Sequence, residues 1–255
     1  MIGHTTAGGG PRAVVVLHDW LGDTSSWDGA RAYLDCVDFT WTFADLRGYG
    51  RSKGQAGHFT VEEAAADVID LADSLGWEQF SIVGHSMSCL VALLLAQQRA
   101  DRIDRSIVLT PPPPTGFGAD EARLELLRGV ARGDDSKRMS FLRSRNGDRL
   151  PEGWFRRKVE RWRSGADPEA VAGFVAMFAS RGLPDPGSAI AGPVLAVTGE
   201  QDVEPMRGEA VARVLTPICS RLFVKSLADC GHYPMEEAPP LLVSIMESFL
   251  ARGRV

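Results

Sequence analysis

The sequence predicts an α/β protein: a mostly parallel sheet with helices on both faces and a helical segment inserted between two of its strands. Three observations carry that expectation. Short apolar runs alternate with longer helical patterns from Ala13 to the end of the chain. Several runs are apolar at consecutive positions, as in Ala13–Leu17 (AVVVL), and strands buried on both faces belong to parallel sheets covered by helices. From about Phe117 to Arg181 no strand pattern appears, so a helical insertion interrupts the alternation.

The elements follow in order. Met1–Arg12 is rich in glycine and threonine and reads as a mobile tail that includes His4. Ala13–Leu17 is a strand, and Phe39–Ala44 (FTWTFA) is another with less regular alternation. Thr60 and Glu63 have the spacing of a capping box. The helix they open runs through Val61, Ala65, Val68, Leu71 and Leu75 and stops at Gly76. Phe80–Val83 is a strand, Met87–Arg99 a strongly apolar helix, and Ile107–Leu109 a further strand, linked by crossovers. Four prolines, Pro111–Pro114, then end the regular pattern. Residues 115–190 read as a helical lid, and Pro184, Pro186, Gly187, Gly192 and Pro193 punctuate the return to strand. Val194–Val197 and Leu222–Val224 complete a core made of residues 1–114 and 191–255. No internal repeat is visible.

Composition narrows the class. Of 255 residues, 44% are apolar and 24% charged, near globular averages, which excludes disordered, collagen-like and coiled-coil chains. A chain of this length buries roughly three quarters of its unfolded surface, so it needs no disulfide or metal to fold. The net charge of −5 argues against a nucleic-acid partner. Cys36, Cys89, Cys219 and Cys230 are far apart and form no ligand pair, which reads as free thiols in a reducing compartment rather than a zinc site. The N-terminus has no apolar leader, and the longest apolar run, Cys89–Ala96, is far below the roughly 20 residues that span a bilayer. The expectation is a soluble cytoplasmic protein with no metal and no cofactor. Its partner is a small molecule, with no nucleic acid and no membrane. The oligomeric state is not legible.

One constellation carries chemistry. In Phe80-Ser81-Ile82-Val83-Gly84-His85-Ser86-Met87-Ser88 a buried strand ends at Gly84 and an apolar helix begins just after Ser86. A serine there sits on a sharp, strained turn, and the small Gly84 and Ser88 keep strand and helix from clashing. The segment resembles the GxSxG nucleophile elbow of the α/β-hydrolase fold family, with Ser88 in place of the second glycine. His18-Asp19-Trp20-Leu21-Gly22 resembles that family's HGxxG loop, with Asp19 in place of a glycine. Asp45-Leu46-Arg47-Gly48-Tyr49-Gly50-Arg51-Ser52 is similar to its DxRGxGxS segment. Gly231-His232-Tyr233-Pro234-Met235-Glu236-Glu237-Ala238-Pro239 resembles its catalytic-histidine loop, GHxxxxExP.

The resemblance implies roles. Ser86 is the nucleophile and His232 the general base. Asp202, in Thr198-Gly199-Glu200-Gln201-Asp202, is the acid, with Glu200 and Glu204 as possible substitutes; Asp229 is too close to His232 in sequence to orient it. The backbone amides of Trp20 and Met87 form the oxyanion hole. His18, Asp45 and Arg47 are expected to be structural, and His58 exposed. The family carries two strands ahead of the HGxxG strand in many members, so this sheet is expected to lack one or two N-terminal edge strands. The implied activity is hydrolysis of a carboxylic ester or lactone through an acyl-enzyme. The alternatives are C–C bond hydrolysis, lyase or peracid chemistry on the same residues, or a low-turnover ligand receptor.

The lid offers two hints about substrate. Its aromatic residues and methionines have helical spacing, so most pack the lid onto the core; Phe141, Trp154, Met177 and Phe178, with Trp20, are expected to line an apolar pocket. Between residues 121 and 165 there are 13 basic residues against 7 acidic. A solvated basic face explains that excess; attraction of an anionic substrate or acidic carrier is the sharper reading.

Overall fold

The computed structural model describes residues 1–253. Seven strands form one sheet: β1 (His4–Gly8), β2 (Arg12–Leu17), β3 (Phe39–Ala44), β4 (Phe80–His85), β5 (Ile103–Leu109), β6 (Ile190–Gly199) and β7 (Cys219–Leu227). Their order is β1-β3-β2-β4-β5-β6-β7, and every neighbouring pair is parallel except β1 with β3. The fold is therefore the mostly parallel α/β sheet that the apolar runs predict. The inner strands are dry on both faces: Val14 through Leu17, Ile82, Val83, Ile107 through Leu109 and Val194 through Val197 have no exposed surface.

Two differences from expectation lie at the sheet edges. Residues 4–8 are not a tail but an antiparallel edge strand, with His4 opposite Ala44 and Gly8 opposite Thr40. Its residues are half-buried or exposed, so burial leaves no continuous apolar run to read. Of the two strands that many members of the resembled family carry ahead of β2, one is present, so the sheet lacks one edge strand of the one or two expected to be missing. At the other edge, Leu222–Val224 are only half-buried, because β7 has a neighbour on one side alone.

Helices α1 (Asp28–Arg31), α2 (Val61–Ser74) and α3 (Cys89–Gln98) alternate with the first strands. The Thr60 hydroxyl accepts from Glu63 N at 3.2 Å, capping α2 as predicted, while the Glu63 carboxylate turns back to accept from His58 N and Phe59 N. Helix α3 packs on α2 and against β4, β5 and β6, and Cys89 through Ala96 are buried without a break. A helix apolar all round is a buried one. Between β5 and β6 lie α4 (Glu121–Ala131), α5 (Asp135–Asn146), α6 (Glu152–Ser164) and α7 (Pro168–Ala176), followed by a π-helical turn, Met177–Arg181. This insert is tied to the loop after β3: Gly50 N donates to Gly165 O and Asp167 N to Gly48 O. Helices α8 (Gly208–Leu215), α9 (Pro234–Glu237) and α10 (Pro239–Arg252) complete the chain, with α8 on β6 and β7 and α10 against α1. Among the described residues no helix is long and apolar enough to cross a membrane.

The fully buried α3 makes core packing testable. Leu93 has no exposed surface, so Leu93→Ala is expected to cost about 2–5 kcal/mol by lost burial and residual cavity. Urea unfolding checks this: the midpoint should fall with the slope unchanged.

Candidate active site

The sheet order creates the crevice. β2 and β4 are hydrogen-bonded neighbours with Val16 opposite Val83, so the chain leaves both strands at the same edge. It then runs from β2 to β3 on one side and from β4 to β5 on the other. Such divergence opens a gap at the carboxyl ends of the strands, where ligands of α/β folds bind. Asp19 and Trp20, after β2, and Ser86 and Met87, after β4, line one cavity there.

Ser86 occupies the left-handed region with φ of 55°, a conformation that a non-glycine residue holds only when its surroundings impose it. The imposition is visible on both sides. A Cβ on Gly84 would lie 2.5 Å from Ser88 O and 2.8 Å from Cys89 Cα. The Ser88 hydroxyl accepts from His85 N at 2.9 Å and donates to His85 O at 3.1 Å. A serine in place of the second glycine therefore closes the turn rather than disrupting it.

His232 joins the other two members. Its Nε2 is 2.9 Å from Ser86 Oγ and its Nδ1 is 2.6 Å from Asp202 Oδ2. A carboxylate only accepts, so Nδ1 carries the proton and Nε2 accepts from the serine hydroxyl. Asp202 is fully buried, and its other oxygen accepts from Val203 N at 2.7 Å. Burial alone would raise its pKa, but the field and hydrogen bond of His232, with help from the Arg145 guanidinium, hold it below the usual carboxylate value. Glu200, Glu204 and Asp229 are exposed.

The histidine loop is clamped from several directions. The Glu237 carboxylate accepts from Gly231 N at 2.7 Å and Tyr233 N at 2.8 Å, bracketing His232. His232 N donates to the buried Asn146 Oδ1 at 3.0 Å, and His85 Nε2 donates to His232 O at 2.7 Å. Asn146 comes from α5, so the insert helps to hold His232. Burial drives the His85 pKa down to about 3, which keeps this ring neutral near neutral pH.

The loop after β2 is equally fixed. Trp20 O accepts from the Tyr49 hydroxyl at 2.7 Å, and the Trp20 indole donates to Val171 O at 2.7 Å. Asp19 keeps a negative φ, so its replacement of glycine demands no unusual backbone. Its carboxylate is buried; Oδ2 accepts from the Tyr233 hydroxyl at 3.1 Å, and Oδ1 has no partner. His18 donates through Nδ1 to Asp19 O and accepts at Nε2 from Leu46 N. Asp45 accepts from Thr24 N and Arg51 N, and Arg47 grips Asp67 with two hydrogen bonds. His58 is exposed.

Phe141 and Phe178 line the cavity with Trp20 and Ser86, as the sequence suggests. Trp154 and Met177 do not. Trp154 packs edge-on against Phe155 and Tyr233, and Met177 lines a separate cleft beside Phe59 and Leu183. Helical spacing identifies apolar faces but not which of them turns toward Ser86. The cavity holds about 10 Å³, roughly one water. His85, Asn146 and Arg145 were not singled out by sequence reasoning. His85 adjoins the elbow motif; Asn146 and Arg145 sit in the arginine-rich insert, where nothing local marks them. Among the described residues no group of three or more His, Cys, Asp or Glu is placed to hold a metal ion.

Two outcomes follow. Gly84→Ala forces backbone atoms apart, so the expected result is lower thermal stability by about 1–3 kcal/mol together with displacement of Ser86, read by calorimetry and by serine reactivity. His85 is protonated near 6.5 when unfolded but only near 3 when folded. Its folded pKa is depressed, so the associated stability is present above 6.5 and lost as pH falls toward 3, by about 3 kcal/mol at about pH 4. Urea titrations should show that His85→Gln loses less stability than wild type between neutral pH and that acid condition, by that amount.

Comparisons with known proteins identify the family and the fold. The model of the alpha/beta hydrolase family matches residues 14–245. A soluble epoxide hydrolase of Corynebacterium sp. is 31% identical over 110 residues, covering 43% of this chain and 38% of that protein. The chain spans about a third of the length of the first curated relatives it matches. Among solved structures, the enol-lactonase of Burkholderia xenovorans LB400 superposes with a TM-score of 0.84 at 22% identity, covering 98% of this chain and 96% of that one. An esterase of Exiguobacterium antarcticum does so with a TM-score of 0.83 at 18% identity, covering 98% and 95%. Likeness at that identity speaks to the fold, and the family model reaches nearly from end to end. With its parallel sheet and the order of its motifs, the chain belongs to the alpha/beta hydrolase family.

Proposed function

We propose that the protein is a serine hydrolase that cleaves a carboxylic ester or lactone of a small, partly apolar molecule through an acyl-enzyme. The observation that carries this reading is the bridging of Ser86 and buried Asp202 by His232 at 2.9 and 2.6 Å. In this mechanism His232 takes the Ser86 proton as the oxygen attacks the carbonyl, and Asp202 stabilises the imidazolium. The amides of Trp20 and Met87 hold the oxyanion; two fixed donors aimed at developing charge are worth roughly 100- to 1000-fold each. His232 then returns its proton to the leaving alkoxide, and water activated by the same base releases the acid.

Residues 115–190 act as the cap over this site. Phe141 and Phe178 offer apolar surface to the substrate, and the narrowness of the cavity means that the cap shifts to admit it. Four unpaired cysteines fit a reducing cytoplasm. Labelling by a fluorophosphonate probe tests the nucleophile: wild type should label and Ser86→Ala should not. On a panel of esters and lactones, Ser86→Ala and His232→Ala are each expected to lose of order 10⁴–10⁶ in turnover. Labelling and turnover that survive Ser86→Ala would overturn the reading.

A further inference from the structure

Most basic residues of the insert have a carboxylate partner, and all but a few of these pairs lie at the surface. Arg128 pairs with Glu121, Arg132 with Glu125, Arg143 with Asp148 and Glu152, Arg163 with Asp135, and Lys158 with Glu236. Arg145 is different. It sits in the last turn of α5 and is buried, with its side chain only 7% exposed. Its nearest carboxylate oxygen, Asp202 Oδ1, is 3.8 Å away, outside hydrogen-bond reach, and that oxygen already accepts from Val203 N. The partners it does have are weak acceptors: Met206 Sδ at 3.0 Å and the face of Phe141 at 4.4 Å. Its Nε is buried with no partner at all.

A buried guanidinium without a committed carboxylate is costly, and it persists where a ligand completes it. Arg145 lines the cavity that contains Ser86. With Phe117 and Phe178 it also lines an adjoining cavity of about 250 Å³, whose other charged residue is Arg123. Arg123 is exposed, and no acidic side chain among the described residues pairs with it. Two guanidinium groups thus border one otherwise apolar space beside the nucleophile.

We propose that Arg145 binds a free carboxylate on the substrate, so that the preferred substrates are half-esters of short dicarboxylic acids or lactones carrying a carboxylate. The planar fork of Arg145 matches a carboxylate in two-point contact, and the apolar wall of the second cavity takes the methylene chain. This rests on the hydrolase reading for its chemistry, but anion recognition has a test of its own.

The binding test uses Ser86→Ala protein, titrated by calorimetry with the monomethyl esters of succinic, glutaric and adipic acids and with the same esters bearing an amide in place of the free acid. The acid form should bind at least about tenfold more tightly at one chain length, as expected for a charge-assisted hydrogen bond. That preference should vanish in Ser86→Ala with Arg145→Gln and return in part with Arg145→Lys. Absence of acid-over-amide selectivity, whether both ligands bind or neither does, overturns the proposal, as does selectivity that survives Arg145→Gln. In the active protein, the acid-to-amide ratio of kcat/KM should collapse with Arg145→Gln, whereas a purely structural role would lower both values and leave the ratio intact. Ser86-dependent cleavage without anion selectivity would sink this inference and leave the hydrolase standing. Selective binding without turnover would do the reverse.

Discussion

The hydrogen bond from His232 to Asp202 is the interaction on which the site depends. It places a carboxylate in a position with no solvent exposure, where the charged form is disfavoured unless it is compensated. The compensation is local: the imidazole N–H, the amide of Val203, and the field of Arg145. In return the carboxylate fixes the tautomer of His232 and aims its free nitrogen at Ser86. Without that anchor, the loop after β7 would carry a histidine of no defined orientation.

The remaining contacts make this arrangement rigid from several elements at once. Glu237 holds the amides on either side of His232, His85 holds its carbonyl, and Asn146 holds its amide. Tyr233, the next residue, reaches across to Asp19 in the loop after β2, while Lys158 from α6 sits over the Tyr233 ring at 3.8 Å. Burial would raise the Asp19 carboxyl, but Lys158 and the surrounding histidines hold it below the usual value. The insert is therefore wired into the His232 loop and, through Tyr233, into the loop after β2. Three buried polar atoms without partners, Asp19 Oδ1, His85 Nδ1 and Arg145 Nε, lie around Ser86 and His232; the others among the described residues belong to Trp27, Arg31, Arg105, Asp135 and Trp162.

Much of this was legible along the chain because the relevant signals are local. A strand buried on both faces needs consecutive apolar residues, and the sharp turn at Ser86 needs small neighbours at fixed offsets, so both leave their mark within a few positions. The edge strand at residues 4–8 left none, since an edge exposes one side to water and tolerates threonine, alanine and glycine. Trp154 and Met177 illustrate a second limit. Both have the spacing of inward-facing helical residues, but Trp154 on α6 packs against Tyr233 and Met177, in the turn after α7, faces the cleft beside Phe59.

The amino-acid order by itself determined the class of fold, the elbow at Ser86, and the identities of Asp202 and His232 as candidates, because each is written in the residues flanking a single strand end. Only the tertiary structure decided that these three meet, that Asn146 and His85 hold His232, and that Arg145 is buried near Ser86 without a full partner. The placements of Asn146 and Arg145 depend on α5 reaching the carboxyl ends of the strands. A contact between residues sixty or a hundred and forty-six positions apart has no local signature; it exists only when the sheet order and the packing of the insert bring the segments together.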